Sequence, residues 1–429
     1  MNDPWKLIGA DEARRHLLAV PPVTDVEHVP LRAAAGRVLA EALSAPHDLP
    51  PERRSAMDGY AGRAEDLVAA ARAGASEDRD DAGALPVVGA VVAGAVFGRP
   101  LAPGEVVSIA TGAVVPDGAD SVVMVEQTRP APGASVEDGY VTPGGAVRVT
   151  RAPEVGANVV QRGEDVRAGT VLLPGGRRLA ARDLSALATF GMAAVPVFRR
   201  PRLAILTTGS EICAVEEVPG PGKVRDSNEY ILAAEIEAAG GAVTWGGVVP
   251  DDYERLRETV ARLCAENDGV ILSGGSSIGP KDLTGRVLAT LGPPGVIFHG
   301  IDIRPGKPTV LARAGHKPVV GMPGFPTSSM VVFEAFVRPL VAHLGGETVV
   351  DVWPASSRAR LARPYTKPAS REDYLRVRLE VRDGDLWADV VPGGSSAISN
   401  VIFSDGLAKI GVGTTALEAG ALVEVRRFS

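Results

Sequence analysis

RLAILTTGSE, residues 202–211, opens the region on which the fold turns. It reads as a buried strand running into a polar loop. A helix pattern follows in SNEYILAAEIEAAG (227–240), then a strand in AVTWGGVVPDD (242–252), a helix in DYERLRETVARLCAEN (252–267) and a strand in DGVILSGG (268–275). Strands and helices of these lengths in alternation predict βαβ units around a parallel sheet. In such sheets ligands bind at the loops after the carboxyl ends of the strands.

Those loops carry acids. Glu211 follows the first strand, Asp251 the second, and Asp282, in SGGSSIGPKD (273–282), the third. A parallel sheet brings all three to one rim. Carboxylates gathered without histidine or thiolate suit a hard, oxygen-liganded cation such as Mg²⁺. A lone Asp before a helix is usually a cap, and each of the three reads that way singly; together they point to a site. The glycines of the loop, Gly274 and Gly275 beside Ser273 and Ser277, permit close backbone approach to an oxyanion.

Further along, DIRPGKP (302–308) sets Arg304 and Lys307 on a rigid Pro/Gly turn, two cations suited to phosphate or another oxyanion. VVGMPGFPTSSMVVFEAF (319–336) predicts a strand, a bend and a helix whose start carries Thr327 and Ser328. That start is an anion-type site or an ordinary cap.

Outside this region the texture differs. ADEARRHLLAV (10–20) predicts an amphipathic helix ending before Pro21 and Pro22. From there to about residue 200, short Val-rich strands alternate with Gly/Pro turns, as in ALPVVGAVVAG (84–94), GEVVSIATGAVVP (104–116) and ADSVVMVEQ (119–127). Residues 70–81 read as a surface loop or short exposed helix, and 131–145 as a hairpin. Strands return beyond about residue 345, in REDYLRVRLEV (371–381), DLWADVVPG (385–393) and ALVEVRRF (421–428), predicting a small terminal β domain.

The 429 residues, 45% of them hydrophobic, suffice for several domains with separate cores. A net charge of −7, mixed in sign, argues against a nucleic-acid surface. Two cysteines, Cys213 and Cys264, make neither a disulfide framework nor a zinc quartet, and read as reduced thiols. No apolar run is long enough to span a membrane and no signal peptide is apparent, so a cytoplasmic location is expected.

Eight motifs stand in a set order: SAMDGYA (55–61), TGAVVPDGADSVVMVE (111–126), RGEDVRAG (162–169), TTGSEI (207–212), DSNEYIL (226–232), SGGSSIGPKD (273–282), RPGKP (304–308) and GMPGFPTS (321–328). In this order they resemble the molybdopterin molybdenumtransferases, a family that includes bacterial enzymes and the E domain of gephyrin. The similarity runs from roughly residue 10 to the C-terminus. It implies an elongated homodimer of four-domain chains. These would be a discontinuous linking domain (22–45 and 152–198), a β-rich lobe (46–151), an α/β molybdopterin-binding domain (1–21 and 199–344) and a C-terminal β-barrel-like domain (345–429). The implied reaction inserts molybdenum from molybdate into adenylated molybdopterin, with Mg²⁺-dependent hydrolysis of the adenylate and release of AMP. A molybdopterin adenylyltransferase and acceptor molybdoenzymes would be partners.

The resemblance assigns Asp58, Thr111, Asp165, Glu211, Asp251 and Asp282 to catalysis, the first three facing the others across the dimer cleft. Glu211, Asp251 and Asp282 would hold the metal. Ser273, Gly274, Gly275, Ser277, Arg304, Lys307 and Ser328 would bind substrate, joined by Arg371, Arg376 and Ser399 in the C-terminal domain. The sequence departs from the family pattern with Arg304 for Lys, Phe325 for Asn and Ser276 for Val. A tungsten-inserting paralogue, a gephyrin-like scaffold and a nucleotidyltransferase are the competing expectations.

Overall fold

The computed structural model describes residues 6–74, 83–275 and 283–428. The chain forms two compact units, one from Met1–Glu41 with Pro174–Ser429 and one from Ala42–Leu173.

In the first unit, six strands make one sheet: β1 (Arg202–Thr208), β2 (Ala242–Val249), β3 (Gly269–Ser273), β4 (Pro294–His299), β5 (Val310–Ala314) and β6 (Lys317–Met322), in the order β2-β1-β3-β6-β5-β4. The four strands β2, β1, β3 and β6 are parallel, as expected. The β5 and β4 strands join antiparallel, making the sheet mixed. Alternate residues of β1 explain its uninterrupted apolar run, because both faces are covered. Leu203 and Ile205 pack with α1 (Ala10–Leu18), α2 (Asn228–Ala238) and the helices after β6, whereas Ala204 and Leu206 pack with α3 (Tyr253–Glu266) and α4 (Leu283–Leu288). The segment after β6 starts with α5 (Pro326–Val332), passes through a π-turn at Phe333–Val337 and ends as α6 (Arg338–Leu344).

The terminal strands close into a five-stranded barrel: β7 (Ser357–Leu361), β8 (Glu372–Arg382), β9 (Asp385–Val390), β10 (Gly406–Ile410) and β11 (Leu422–Arg427). The pairings run β8-β9-β7-β11-β10 and back to β8. A two-residue strand, Ile303–Arg304, adds in parallel to the start of β8, opposite Glu372 and Asp373. This pairing brings the RPGKP turn against the barrel.

The second unit is built on a six-stranded sheet that includes Gly59–Gly62, Val106–Ile109 and Ala84–Val91. Of residues 70–81, 70–74 take the helical alternative, completing a helix, Ala64–Gly74, that is not exposed on its inner side, since Leu67 and Ala70 are buried against the sheet; residues 75–81 lie outside the described residues. Residues 131–145 contain the expected hairpin, Val136–Glu137 with Tyr140–Val141. Both cysteines are free and buried, and burial pushes the Cys264 thiol up to about 11. Among the described residues no helix is long and apolar enough to cross a membrane.

Candidate functional site

The acidic rim forms where β1 and β2 end side by side. The Ser210 N–H donates to Asp251 Oδ2 at 3.1 Å, and the Asp251 N–H donates to Ser210 Oγ at 3.1 Å. The capping duty falls instead on the next residue: Asp252 accepts the Arg255 N–H at 2.9 Å and starts α3. Asp251 is thereby free of the role that its sequence context made ambiguous. Glu211, exposed, folds back over Gly209, where an added Cβ would lie 2.8 Å from its carboxylate. Glu211 and Asp251 offer hard oxygen donors, a chemistry that fits Mg²⁺. Among the described residues no three acidic, His or Cys side chains gather as a metal set. Asp282, and Ser277 with it, lie outside the described residues.

Behind this rim is a cavity of about 620 Å³. Ser273, Gly274 and Gly275 line it. Ser273 is the buried last residue of β3, and its Oγ accepts from Asn228 Nδ2 at 2.9 Å. Gly274 and Gly275 hold φ of +92° and +66°, and a Cβ on Gly274 would meet the Thr208 carbonyl at 2.3 Å. Glycine is thus required at position 274 by close backbone contact and a positive φ, and is favoured at position 275 by its positive φ. Two lining residues were not singled out from the sequence, Asp226 and Asn228 of DSNEYIL. Asp226 Oδ1 accepts the N–H groups of Asn228 and Glu229 at the start of α2, 3.0 and 3.2 Å away. The Asp-Ser-Asn run before a helix was the available signal, and it looks like nothing more than a cap.

A second cavity, of about 780 Å³, brings together five expected residues: Arg304, Lys307, Ser328, Arg371 and Arg376 all line it. The Ile303–Arg304 pairing with β8 causes this meeting. Arg371 is forked onto Asp373, with Nε to Oδ1 at 2.6 Å and Nη2 to Oδ2 at 3.1 Å. Asp373 is fully buried and also accepts from Tyr365 Oη at 2.6 Å. Burial together with this bond pushes the Tyr365 phenol up to about 12, so it remains a neutral donor. Arg376 is held differently. Its Nη2 donates to the Gly393 carbonyl at 3.0 Å, its Nε is buried with no protein partner among the described residues, and no carboxylate pairs with it. Burial, and then the charge of Arg304, hold its guanidinium below the usual arginine range. Such a cation lacks a counter-anion.

Ser399 does not join this group. It is exposed at the start of a short helix, Ser399–Ile402, and lines neither cavity. The nearby Gly-Gly turn places Ser395 in the cation-lined cavity and Ser396 in the other. The two cavities share Pro308, Pro323 and Phe325. Phe325 is 55% exposed and precedes α5 without a side-chain cap.

In the second unit, Asp58 Oδ1 accepts the Thr111 N–H at 2.8 Å. That bond, then the Thr111 hydroxyl, holds the Asp58 carboxyl below its ordinary range. The SAMDGYA and TGAVVP motifs therefore meet. Asp165 is exposed in a turn tied to the Leu49 carbonyl, and shares no hydrogen bond with Asp58 or Thr111 among the described residues.

Three family models match successive regions of the chain. Residues 8–191 match the model of the MoeA N-terminal region (domain I and II), 204–343 that of a probable molybdopterin binding domain, and 358–428 that of the MoeA C-terminal region (domain IV). A molybdopterin molybdenumtransferase of Nostoc sp. is 34% identical over 403 residues, covering 92% of this chain and 87% of the relative. One from Bacillus subtilis is 32% identical over 420 residues, covering 97% and 93%. The crystal structure of a molybdopterin biosynthesis moeA protein from Pyrococcus horikoshii has a TM-score of 0.80 at 32% identity, covering 99% of this chain and 100% of that one. With the mixed sheet, the closed barrel and the ordered motifs, these matches make the chain a member of the molybdopterin molybdenumtransferase family, enzymes of molybdenum cofactor biosynthesis.

Proposed function

We propose that this chain moves molybdenum from molybdate into adenylated molybdopterin, releasing AMP and the loaded cofactor. The observation that carries this reading is the cation-lined cavity. Arg304, Lys307 and Arg376 make no ion pair among the described residues, and they converge beside the donor-bearing Ser328. Phosphate and molybdate are both oxyanions that such a set binds through charge-assisted hydrogen bonds. Asp373 fixes the orientation of Arg371, whose remaining N–H groups are donors available to the cavity it lines without reorganisation.

Glu211 and Asp251 would hold Mg²⁺, with Asp282 as the third carboxylate expected from the resemblance. Bound there, a divalent cation would screen these carboxylates from the substrate's phosphates, since like charges 4 Å apart repel by about 4 kcal/mol at an effective dielectric near 20. Asp58, Thr111 and Asp165 of a second copy would complete the site in a C₂ homodimer, the commonest closed symmetry. An adenylyltransferase would supply the substrate and molybdoenzymes would take the product.

The decisive experiment incubates the purified protein with adenylated molybdopterin, Mg²⁺ and molybdate, and measures AMP released and molybdenum retained on the pterin product. Stoichiometric AMP and molybdenum are expected. Release of AMP without molybdenum loading would reduce the protein to an adenylate hydrolase, and neither product would overturn the reading.

A further inference from the structure

The smaller cavity has an unusual inventory of polar atoms. Asn228 donates its Nδ2 hydrogens to Ser273 Oγ at 2.9 Å and to the Gly324 carbonyl at 2.8 Å. A carbonyl can only accept, so the amide is oriented with nitrogen toward Gly324. Asn228 Oδ1 is consequently an acceptor, buried and without a protein partner among the described residues. Asp226 repeats the pattern. Its Oδ1 is occupied by the two N–H groups of α2, while Oδ2 is buried and without a partner among the described residues. Both residues are more than nine-tenths buried, and both line the cavity. The hydroxyls of Thr207 and Thr208, which also line it, likewise have no partner among the described residues.

Acceptors left unpaired in a buried wall cost free energy unless a donor arrives. Two acceptors, with two hydroxyls that can donate or accept, complement a group that carries N–H donors. The other cavity has the opposite character, cationic and donor-rich, and the two adjoin at Pro308, Pro323 and Phe325. A ligand with a donor-edged ring at one end and an oxyanion at the other spans both.

We propose that Asp226 and Asn228 are the specificity residues that read the amino-pyrimidinone edge of the pterin ring, its N3–H and 2-amino group, an assignment that rests on the reaction proposed above. The adenine of the adenylate is the rival occupant. Its edge sets one amino donor beside a ring-nitrogen acceptor, which would face one of these acceptors unpaired.

The test uses two stable fluorescent probes, 6-hydroxymethylpterin and 6-hydroxymethyllumazine, which has a carbonyl oxygen in place of the 2-amino group. The wild-type protein should bind the pterin at least about tenfold more tightly, because the lumazine sets an oxygen against a buried acceptor. Asp226→Asn keeps one oxygen for the helix start but turns the other acceptor into a donor. Its preference should fall to parity or invert, while binding of inorganic phosphate at the cation-lined cavity stays at the wild-type level. Equal wild-type affinities for the two probes, binding of neither, or an unchanged preference in Asp226→Asn would each overturn the assignment. So would AMP displacing the pterin from wild type but not from Asp226→Asn. The wild-type comparison needs no variant, so it holds even if Asp226→Asn does not fold. Pterin preference without molybdenum insertion would sink the reaction and leave this recognition site standing. Insertion without the preference would do the reverse.

Discussion

Arg376 is a half-buried cation bonded to carbonyls and, among the described residues, paired with no carboxylate. Arg376→Ala should weaken phosphate or molybdate binding by about 1.5–3 kcal/mol, the range for a hydrogen bond to a charged group. Arg376→Lys should restore only part, since an ammonium cannot reproduce the guanidinium fork. Calorimetric titration checks both, and unchanged affinity in Arg376→Ala would make the residue structural. A second prediction divides VVPDD. Asp252→Ala should lower stability by about 1 kcal/mol through the lost cap, leaving AMP release near the wild-type rate. Asp251→Ala should leave the cap intact and cut AMP release at saturating Mg²⁺ by at least about tenfold. A rate loss in Asp252→Ala equal to that of Asp251→Ala would refute the division. Sequence context left Asp251 between the two duties. Only the Arg255 N–H on Asp252 and the Ser210 N–H on Asp251 separate them.

At the scale of elements, α1 is anchored to the barrel by one side chain. Arg14, 5% exposed, bonds Glu372 at 2.6 Å and Tyr374 at 2.5 Å, and the Tyr374 hydroxyl also donates to Glu372. Removing one partner of a buried pair leaves the other charge stranded. Arg14→Ala should therefore destabilise the fold by about 3 kcal/mol, toward the low end for buried pairs because Lys409 stays 3.3 Å from Glu372. The denaturant midpoint measures this. Burial alone would raise the Glu372 carboxyl, but the hydrogen bond and charge of Arg14, with Tyr374 and Lys409, hold it below its ordinary range. A carboxyl depressed in the folded state contributes stability above its unfolded value, about 4.3, which is lost as pH falls through the folded value. Melting temperature should thus drop as pH falls below about 4, and less steeply in Glu372→Gln. Parallel pH profiles for the two proteins would contradict this. Periodicity alone foretold α1 and β8 but not their connection, since Arg14 and Glu372 are 358 residues apart.

For the whole molecule, the proposed composite site makes a prediction that no single chain can satisfy. Asp58→Ala and Glu211→Gln should each be inactive alone. Unfolded together and refolded as a mixture, they should recover about a quarter of wild-type AMP release, because half the dimers are mixed and each mixed dimer has one intact site. Light scattering should report a dimer in every sample. No recovery in mixtures that do dimerise would place all the catalytic groups on one chain.

The sequence by itself determined the local elements, the order of the motifs and, through that order, the family. Apolar spacing is set by which faces must be buried, and a strand such as β1, covered on both sides, declares itself in consecutive residues. Tertiary structure alone decided which side chains share a cavity. Arg304 meets Arg371 and Arg376 because a two-residue strand pairs with β8 across 69 positions of chain, a contact with no period to read. Only the fold shows that Ser399 lines neither cavity while Ser395 and Ser396 each line one, and that Asp226 and Asn228 each keep one buried acceptor without a partner among the described residues. The physical reason is the same throughout. Burial patterns repeat locally along the chain, whereas hydrogen-bond satisfaction is settled atom by atom between segments that only the folded state brings together.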